Sequence, residues 1–500
     1  MTETMEIKIV IEGANPQKEY VLVSDEPISF AEAMNQLGLS FYRPCGGIGK
    51  CLSCVIKFVY GMPPMTSYDE RALDFSEMRA GYRLGCKCTI TRDCKIEVPS
   101  SLASEITSVL IDEVAEDENL EKENIGIAVD IGTTTIATAI IDLATGKILR
   151  QRNCTNSQLK YGADVMSRVK AAMDGHGEDL QNAVRNDLIK MGKELLGPNF
   201  LMHKIVFSGN SIMTHLFLGM VVDGFAKYPF VPYTLDSVRF VKDRRDIFFM
   251  PGISAFVGGD IVSGLYYLKD RGTYLLVDLG TNAELVLYDG KTYYCTSASA
   301  GPALEGASLS CGVAAVRGAI NHLSINHGKC SYTTIGGEAP IGLCGSGVID
   351  LIHELRRNNI IDDGGLLIDE YSATGYPVAE NVVIKAEDIQ QVLLAKAAIY
   401  SAITLLIKEA GIKMDDIDHL FVSGGLGATI GVWSAAGIGI FPSELLPKFE
   451  AVGNTSLLGA KKFVMEGDEE ALQEIKDHAK VVILNEKPEF QEVFLDSLRL

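Results

Sequence analysis

The chain has 500 residues, with 45 Lys or Arg against 65 Asp or Glu, so its formal net charge is −20. Such an acidic chain repels nucleic acids and anionic membranes, and we expect neither as a partner. The sequence shows no run of about 18 apolar residues and no signal-peptide pattern at its start, which predicts a cytoplasmic protein without membrane spans. The length allows about two to four domains.

Residues 1–98 are predicted to form the first unit. Short apolar segments predict a pair of strands at Ile7–Ile11 and Tyr20–Val23, and Phe30–Leu37 is predicted to be a short helix. Six of the eleven cysteines fall in this unit. In a chain expected to be cytoplasmic, such clustering favours metal binding over a disulfide scaffold.

Three of these cysteines lie in the segment RPCGGIGKCLSC, with C-x₅-C-x₂-C spacing. This is one residue longer in the first gap than the plant-type [2Fe–2S] pattern. The glycines between the cysteines allow the loop to wrap tightly and to aim amides at cluster sulfurs. A zinc site that uses the C-x₂-C pair is the alternative.

The segment resembles the one-cluster [2Fe–2S] ferredoxins, which implies an α+β ferredoxin-like β-grasp fold for residues 1–98. The fourth ligand follows from the resemblance of GYRLGCKC to that family's R-L-x-C segment, which comes after a helix predicted here at Asp69–Arg79. Cys88 and Cys94 have no counterpart in the family. The resemblance therefore implies a cluster held by Cys45, Cys51, Cys54 and Cys86.

Residues 99–124 are predicted to be a linker. The second half of this segment is charged and nearly free of large apolar residues, which is typical of a linker or of one short exposed element. A fixed strap across the surface is the alternative.

A duplicated pattern dominates the remainder of the chain, residues 125–500. Val129–Ile140 reads VDIGTTTIATAI and Val277–Tyr288 reads VDLGTNAELVLY. Each copy predicts a strand, a tight turn at Asp-x-Gly-Thr and a second strand. One copy alone would be an ordinary hairpin, but two copies predict a pair of turns with a shared purpose.

The chemistry of both turns suits phosphate. Gly132 and Gly280 let backbone amides approach an anion, because no Cβ intervenes. Asp130 and Asp278 lie where the strands end and are suited to Mg²⁺, directly or through its waters. Further polar groups expected to bind the phosphates are those of Thr133, Thr134, Thr135, Thr281 and Asn282.

A third motif, FVSGGLG at Phe421–Gly427, is a strand that enters a Gly-rich turn. In this order the three motifs resemble the actin-like ATPase superfamily of sugar kinases, chaperones and actin. The resemblance implies a duplicated α/β (ribonuclease H-like) fold, with a second half that starts near residue 272 and ATP between the halves. It assigns Gly424, Gly425 and Gly427 to adenosine. No G-x-x-x-x-G-K-[ST] loop occurs to support the other common route of phosphate binding.

Three other residues are assigned to the same site. Asp260 opens a predicted helix, and the resemblance gives it the role of positioning the attacking water or coordinating Mg²⁺, with a plain helix N-cap as the alternative. Glu305 lies near the Gly-rich turn SAGPALEGA, and a salt-bridged surface residue is its alternative. Gly345 in GLCGSGVID opens a helix whose N-terminus suits phosphate or ribose.

Together the motifs resemble the reductive activators of corrinoid proteins, which serve methyltransferase and demethylase systems of anaerobes. The resemblance implies an enzyme in which ATP use drives one-electron reduction of Co(II) to Co(I) on a partner corrinoid protein. The [2Fe–2S] cluster would carry the electron from an upstream low-potential donor. A plant-type cluster lies near about −400 mV, and each further 100 mV uphill costs roughly 2.3 kcal/mol for one electron.

The sequence departs from that family in one respect, and it also allows two alternative functions. The family's middle domain is expected to be missing, because Val129 follows the linker almost at once. A homodimer is a further expectation, and it depends on whether that domain is present. No D-x-H-x-x-G cobalamin motif is present, which agrees with a corrinoid on the partner. The alternatives are an ATP-driven electron donor to a non-corrinoid low-potential enzyme and a small-molecule kinase with a regulatory cluster.

Overall fold

The computed structural model describes residues 4–12, 18–37, 39–41, 54–99, 103–105, 125–196, 204–280, 282–306, 308–427 and 429–500. The strands of the first unit and its continuation are β1 (Met5–Glu12), β2 (Lys18–Ser24), β3 (Ile28–Ser29), β4 (Leu39–Phe41), β5 (Val55–Tyr60), β6 (Tyr82–Leu84), β7 (Thr89–Ile90), β8 (Cys94–Pro99) and β9 (Ala103–Glu105). The strands up to residue 269 are β10 (Ile125–Ile131), β11 (Thr135–Asp142), β12 (Ile148–Thr155), β13 (Lys204–Gly209), β14 (Val238–Lys242) and β15 (Arg245–Phe249). The remaining strands are β16 (Tyr274–Leu279), β17 (Ala283–Tyr288), β18 (Tyr293–Ala298), β19 (Ala319–Asn326), β20 (Lys329–Thr334), β21 (Gly342–Leu343), β22 (Tyr376–Ala379), β23 (Val382–Ile384), β24 (His419–Ser423), β25 (Phe449–Gly453) and β26 (Ala479–Val481).

The helices of the first half of the chain are α1 (Phe30–Gln36), α2 (Asp69–Ala72), α3 (Phe75–Arg79), α4 (Val165–Ala171), α5 (Gly177–Leu196), α6 (Ser211–Leu218) and α7 (Gly259–Leu268). Those of the second half are α8 (Gly345–Arg357), α9 (Asp369–Ser372), α10 (Ala386–Ala410), α11 (Gly424–Gly427), α12 (Val432–Gly437), α13 (Thr455–Glu466), α14 (Glu469–Asp477) and α15 (Phe490–Asp496).

The first unit is a five-stranded sheet in the order β2-β1-β8-β5-β6, with β1 antiparallel to β2 and parallel to β8. Alternate residues of β1, Ile7, Ile9 and Ile11, are buried against Phe30 of α1 because successive side chains of a strand point to opposite faces. The two predicted strands and the predicted helix are confirmed. β9, which lies within the predicted linker, pairs antiparallel with β4.

The prediction of a single helix over Asp69–Arg79 is wrong, because two short helices, α2 and α3, occupy this range. Asp74 stands between them in extended conformation and caps α3. Its Oδ1 accepts from the Glu77 amide at 2.8 Å, and Glu77 Oε2 accepts from the Asp74 amide at 2.9 Å. This reciprocal pair is a capping box, which starts a new helix where the sequence pattern continues.

Two six-stranded sheets follow and share the order of five strands, β12-β11-β10-β13-β15 in the first and β18-β17-β16-β24-β25 in the second, while the sixth strand lies beside β15 in the first sheet and beside β18 in the second. The first is β12-β11-β10-β13-β15-β14 and the second is β26-β18-β17-β16-β24-β25. In each sheet, the first three strands along the chain pair antiparallel with one another. The first of these three, β10 or β16, also pairs in parallel with β13 or β24, which in turn pairs in parallel with β15 or β25. β10 and β16 are nearly continuous apolar runs and are buried, as expected of strands covered on both faces. Each Asp-x-Gly-Thr turn follows such a central strand, as predicted.

Helices α7 and α13 cross between the two sheets at small residues. A Cβ added at Gly459 would overlap the Ser263 carbonyl, and one at Gly264 would lie 2.9 Å from Thr455 Oγ1. The Ser263 hydroxyl also donates to the Ser456 carbonyl at 2.7 Å. The core around this crossing combines side chains of both sheets, so the two halves are joined by close backbone packing.

Among the described residues, α10 has the length and composition of a membrane-crossing helix, but 72% of its most apolar window is buried within the chain. It packs against β17 and β18 of the second sheet. Its apolar character is therefore explained by its place in the core.

Helix α10 offers a matched pair of substitutions for stability. Leu406 is fully buried, whereas Leu394 on the same helix is 44% exposed. We expect Leu406→Ala to lower the free energy of unfolding by about 2 to 5 kcal/mol, through lost burial and the cavity left behind. Leu394→Ala should cost less than about 1 kcal/mol. Urea unfolding of both variants measures the difference, and equal effects would contradict the core position of α10.

Candidate nucleotide site

Equivalent strand ends carry the two predicted aspartates. Asp130 is the next-to-last residue of β10 and Asp278 the next-to-last residue of β16. In the antiparallel register Asp130 is opposite Ala137, whereas Asp278 is opposite Glu284. Directly opposed residues share one face of a sheet, so the second half places two carboxylates side by side where the first half has one.

Asp130 is held in place by the start of α13. Asn454 Nδ2 donates to Asp130 Oδ2 at 2.8 Å, and Ser456 Oγ donates to Asp130 Oδ1 at 2.7 Å. Asn454 is also the N-cap of α13, since its Oδ1 accepts from the Leu457 amide at 2.8 Å. A helix N-terminus favours negative charge. Helix α13, which packs against α7 between the two sheets, therefore also orients Asp130.

Asp260 is the second residue of α7, and Gly258 is the cap. The alternative that Asp260 is only an N-cap is therefore wrong. Its Oδ1 accepts from the Ile261 amide at 2.8 Å. A Cβ at Gly258 would lie 2.5 Å from the Asn210 Cα, so the start of α7 is pressed against the turn after β13. That contact requires glycine and brings Asp260 toward the strand ends.

Four carboxylates, those of Asp130, Asp260, Asp278 and Glu284, influence one another here, and we call them the carboxylate cluster. Burial and the neighbouring Asp278 raise the pKa of Asp260 to about 7. Burial and the charge of Asp130 raise the pKa of Asp278 to about 6. Burial, with Asp260 and Asp278 nearby, raises the pKa of Glu284 well above its ordinary value. Close carboxylates cannot all ionise without a compensating cation.

The carboxylate cluster suits Mg²⁺ better than a metal held by protein ligands alone. Across the described ranges, no group of three His, Cys, Asp or Glu side chains is gathered closely enough to hold a metal ion. Mg²⁺ usually keeps several waters and adds substrate phosphate oxygens to one or two carboxylates. The dense negative charge of the cluster fits a hydrated Mg²⁺ that arrives with a phosphorylated ligand.

The Gly-rich segments meet at the second aspartate. Gly424 has a φ of +89°, and a Cβ there would overlap the Leu279 carbonyl and lie 2.9 Å from Asp278 Oδ1. A Cβ at Gly345 would overlap the Leu304 carbonyl, beside Glu305. The charge of Glu305 also raises the pKa of Asp278, so it belongs to the site surroundings. These segments therefore lie close together around Asp278.

The remaining predicted glycines differ in how tightly they are held. A Cβ at Gly132 would overlap the Thr135 carbonyl, and one at Gly427 would lie 2.9 Å from Val422 Cγ1. Among the described residues, a Cβ at Gly425 meets nothing within 4 Å, and one at Gly280 meets only the Asn282 carbonyl at 3.4 Å. Contacts within the protein therefore require glycine at the first two positions. At the latter two, the described residues would accept a Cβ, so glycine there leaves room for a ligand to approach closely.

The hydroxyls of the first turn point to its solvent side or to α6. Thr133 Oγ1 accepts from Asn210 Nδ2 at 3.2 Å, whereas Thr134 and Thr135 are exposed. Thr281, of the second turn, lies outside the described residues.

The cysteines of the first unit divide into two kinds. The Cys86 amide donates to Cys54 Sγ at 3.4 Å, a contact typical of sulfur ligands. Cys88 is buried and donates to the Leu84 carbonyl at 3.3 Å, and burial strongly raises its pKa. Burial raises the pKa of Cys94 to about 12. The structure thus brings Cys54 and Cys86 together, while Cys45 and Cys51 lie outside the described residues.

Sequence reasoning missed three residues of the site, Glu284, Asn454 and Ser456. Glu284 had a signal, because it is the one charged residue of an otherwise apolar strand, AELVLY. Asn454 and Ser456 had none beyond ordinary helix capping. They meet Asp130 only through a contact across more than 320 positions.

Two Asp-Gly turns that follow the central strands of two similarly ordered sheets are typical of the actin-like, or ASKHA, proteins. A family model described as the C-terminal domain of RACo, the ASKHA domain, matches residues 272–500. A second model, the RACo middle region, matches residues 125–269. The expectation that the family's middle domain is missing is therefore wrong.

Individual proteins agree with the family models. The chain is 30% identical over 429 residues to the corrinoid activation enzyme RamQ of Eubacterium limosum, covering 77% of this chain and 72% of the relative. It is 27% identical to the Co(II) methylated amine-specific corrinoid protein reductase of Methanosarcina barkeri, covering 68% and 70%. A solved reductive activator for corrinoid, iron-sulfur protein has a TM-score of 0.68 and 26% identity, covering 99% of this chain and 98% of its own. The chain belongs to the RACo family.

The raised pKa of Asp260 predicts a pH-dependent cost in the nucleotide-free protein. A carboxyl whose folded pKa is raised from 3.8 to about 7 contributes stability below its unfolded pKa and loses it as pH rises through the folded value. Asp260→Asn removes that loss, and we expect a gain of about 2 kcal/mol near pH 8, discounted because the side chain keeps some solvent contact.

Urea unfolding with a chelator present tests this expectation. The gain should shrink as the pH is lowered toward about 5, where the wild-type carboxyl is protonated in the folded state. Asp270→Asn is the control, since that side chain is 80% exposed and should give no pH-dependent gain. An Asp260→Asn variant no more stable than wild type near pH 8 would contradict destabilising repulsion within the carboxylate cluster.

Proposed function

We propose that the protein is an ATP-dependent reductive activator of a corrinoid protein, returning Co(II) to Co(I) by a one-electron transfer. The observation that carries the proposal is the carboxylate cluster set between two Asp-Gly turns, in a chain of the RACo family. Its relatives are named as a corrinoid activation enzyme and a Co(II) corrinoid protein reductase. The corrinoid partner would belong to a methyltransferase or demethylase system of an anaerobe.

The proposed organisation has a ferredoxin-like β-grasp domain over residues 1–98, a linker over 99–124 and a duplicated ribonuclease H-like ATPase unit over 125–500. The five-stranded sheet packed on α1 supports the first part. The shared strand order of the two six-stranded sheets supports the duplication, with a second half that starts near residue 272.

The first domain would hold a [2Fe–2S] cluster on Cys45, Cys51, Cys54 and Cys86, and this cluster would supply one electron at low potential. Cys54 and Cys86 fit such a group because an amide already donates to a sulfur there. The donor set of thiolates with glycines between them favours a cluster over zinc.

In the ATPase unit, the two turns would bind the phosphates and the Gly-rich segments the nucleoside. Asp130 and Asp278 would hold Mg²⁺ through its waters, and Asp260 would orient the water that attacks the γ-phosphate. Gly132, Gly280 and the polar residues at 133–135 and 281–282 would contact phosphate. Glu305, Gly345, Gly424, Gly425 and Gly427 would line the nucleoside end.

Coupling to electron transfer would use the joint between the halves. A nucleotide that contacts both turns binds one relative orientation of the halves better than others, and so shifts the population toward it. A corrinoid protein that binds that orientation selectively would have its cobalt surroundings changed at the same time. The free energy of nucleotide binding and hydrolysis would thus offset the uphill electron transfer.

The remaining parts of the proposal concern localisation, partners and oligomeric state. We propose a cytoplasmic protein that receives electrons from a low-potential donor and binds neither nucleic acid nor membrane, in keeping with its net charge of −20. A homodimer stays an open part of the proposal.

Two neighbouring cysteines provide a sharp test of the cluster. Cys86→Ser should abolish the visible absorption and the [2Fe–2S] paramagnetic resonance signal of the reduced protein, because a ligand is lost. Cys88→Ser, two positions along the chain, should keep both, because that thiol is buried and bonded to a backbone carbonyl. ATP binding should be unchanged in both variants. Loss of the signal in Cys88→Ser with retention in Cys86→Ser would reverse the assignment, and a [4Fe–4S] signal would favour a non-corrinoid electron acceptor.

An optical assay of Co(I) formation on a candidate corrinoid protein tests the function itself. With reductant, Mg²⁺ and ATP present, the wild type should form Co(I), and omission of ATP should stop it. Asp278→Ala should lower the rate by about a hundredfold or more, as expected when a group that supports transition-state charge is removed. Its cluster spectrum should be unchanged. Equal reduction without ATP would refute the coupling, and phosphoryl transfer to a small molecule without any partner would point to a kinase.

A further inference from the structure

The first Asp-x-Gly-Thr turn is backed by a polar network that sequence reasoning did not assign. Its members, Asn156, Gln158 and Arg168, have no solvent exposure. Asn156 and Gln158 follow strand β12, and Arg168 lies on α4. Three fully buried polar side chains behind one short turn need a reason, since burial of such groups is costly unless they are bonded.

The network binds three consecutive carbonyls of the turn. Asn156 Nδ2 donates to the Gly132 carbonyl at 2.9 Å, and Arg168 Nη2 donates to the Thr133 carbonyl at 2.6 Å. The Asn156 amide donates to the Thr134 carbonyl at 2.9 Å. All three carbonyls at the tip of the turn therefore point toward the buried network.

The orientation of the carbonyls decides the orientation of the amides. In a trans peptide the N–H points opposite to the preceding C=O. The N–H groups of Thr133, Thr134 and Thr135 are accordingly directed away from the network, toward the side on which Thr134 and Thr135 are exposed. Successive amides aimed the same way form a concavity that favours an anion.

Arg168 also brings a positive charge behind the turn. Nε donates to the Gly162 carbonyl at 3.0 Å and Nη1 to Gln158 Oε1 at 3.1 Å, and within the described part of the chain its hydrogen bonds all go to uncharged groups. Burial lowers its pKa to about 9, while the charge of Asp164 raises it. Arg168 thus stays charged at neutral pH, and a buried cation without a bonded carboxylate is costly. An anion on the far side of the turn would compensate it.

We propose that Asn156 and Arg168 are positioning residues for nucleotide phosphate: they hold the first turn with its amides outward and place a positive charge behind it. Neither side chain needs to touch the nucleotide. This inference rests on the proposed nucleotide site and assigns a source of its phosphate affinity.

Binding of ATP, ADP and adenosine to the full-length protein, measured by calorimetry, tests the inference. Arg168→Met and Asn156→Ser should weaken ATP and ADP by about tenfold to a hundredfold, the range for a lost charge-assisted hydrogen bond. Adenosine binding should change by less than about twofold, because adenosine has no phosphate for the turn to bind. Lys170→Met is the matched control. It removes one positive charge from the same helix, where the side chain is exposed and paired with Asp174, and should leave all three affinities unchanged.

A conservative variant separates positioning from mere support of the fold. Arg168→Lys keeps the charge and should recover part of the ATP and ADP affinity lost in Arg168→Met, while melting curves without nucleotide report folding. If Arg168→Met does not fold, Asn156→Ser and Arg168→Lys provide the same ATP-to-adenosine comparison.

The possible outcomes are distinct. Equal weakening of ATP and adenosine would show a structural role and overturn the inference. So would folded variants that bind ATP as the wild type does, and in that case the nucleotide site itself would stand. A wild-type protein that binds neither ATP nor ADP would overturn the nucleotide site and this inference with it.

Discussion

The carboxylate cluster is the constraint on which the site depends. Asp130, Asp260, Asp278 and Glu284 come from both sheets and from α7, and burial raises the pKa of each. Charges of one sign gather in a cleft only if the fold is stable enough to hold them there, or if a cation joins them. The nucleotide-free protein therefore carries a local instability that Mg²⁺ and a phosphorylated ligand would relieve. Binding energy would then act on the relation between the halves that supply the carboxylates.

The joint between the halves is built for close contact. Gly459 on α13 and Gly264 on α7 let the two backbones approach, and the same helices carry site residues at their starts. Asp260 stands in the first turn of α7, while Asn454 caps α13 and donates to Asp130. A movement of either helix thus moves a carboxylate or its donor. Close packing between the halves and the placement of the site carboxylates therefore depend on the same two helices.

Local patterns in the sequence predicted what depends on neighbouring residues. The strands on either side of both Asp-x-Gly-Thr turns were readable, because apolar runs and a Gly-Thr turn lie within about a dozen positions. The break at Asp74 had a local signal, because Asp74 and Glu77 have capping-box spacing. The prediction missed it because the helical pattern continues on both sides of Asp74. The contact of Asn454 with Asp130 could not be predicted, because nothing local relates residues so far apart. The family's middle region was missed because the first Asp-x-Gly-Thr motif follows the predicted linker almost at once, which left no room for a separate domain ahead of it.

The two turns are alike in sequence and unlike in electrostatics. Behind the first turn lies the buried cation Arg168, and its aspartate is held by the neutral donors Asn454 and Ser456. Beside the second, Asp278 is opposed by Glu284 and raises the pKa of Asp260. The surroundings of the first turn are therefore less negative than those of the second. This difference between the turns comes from residues outside the repeated sequence or, as with Glu284, from a position at which the two copies differ.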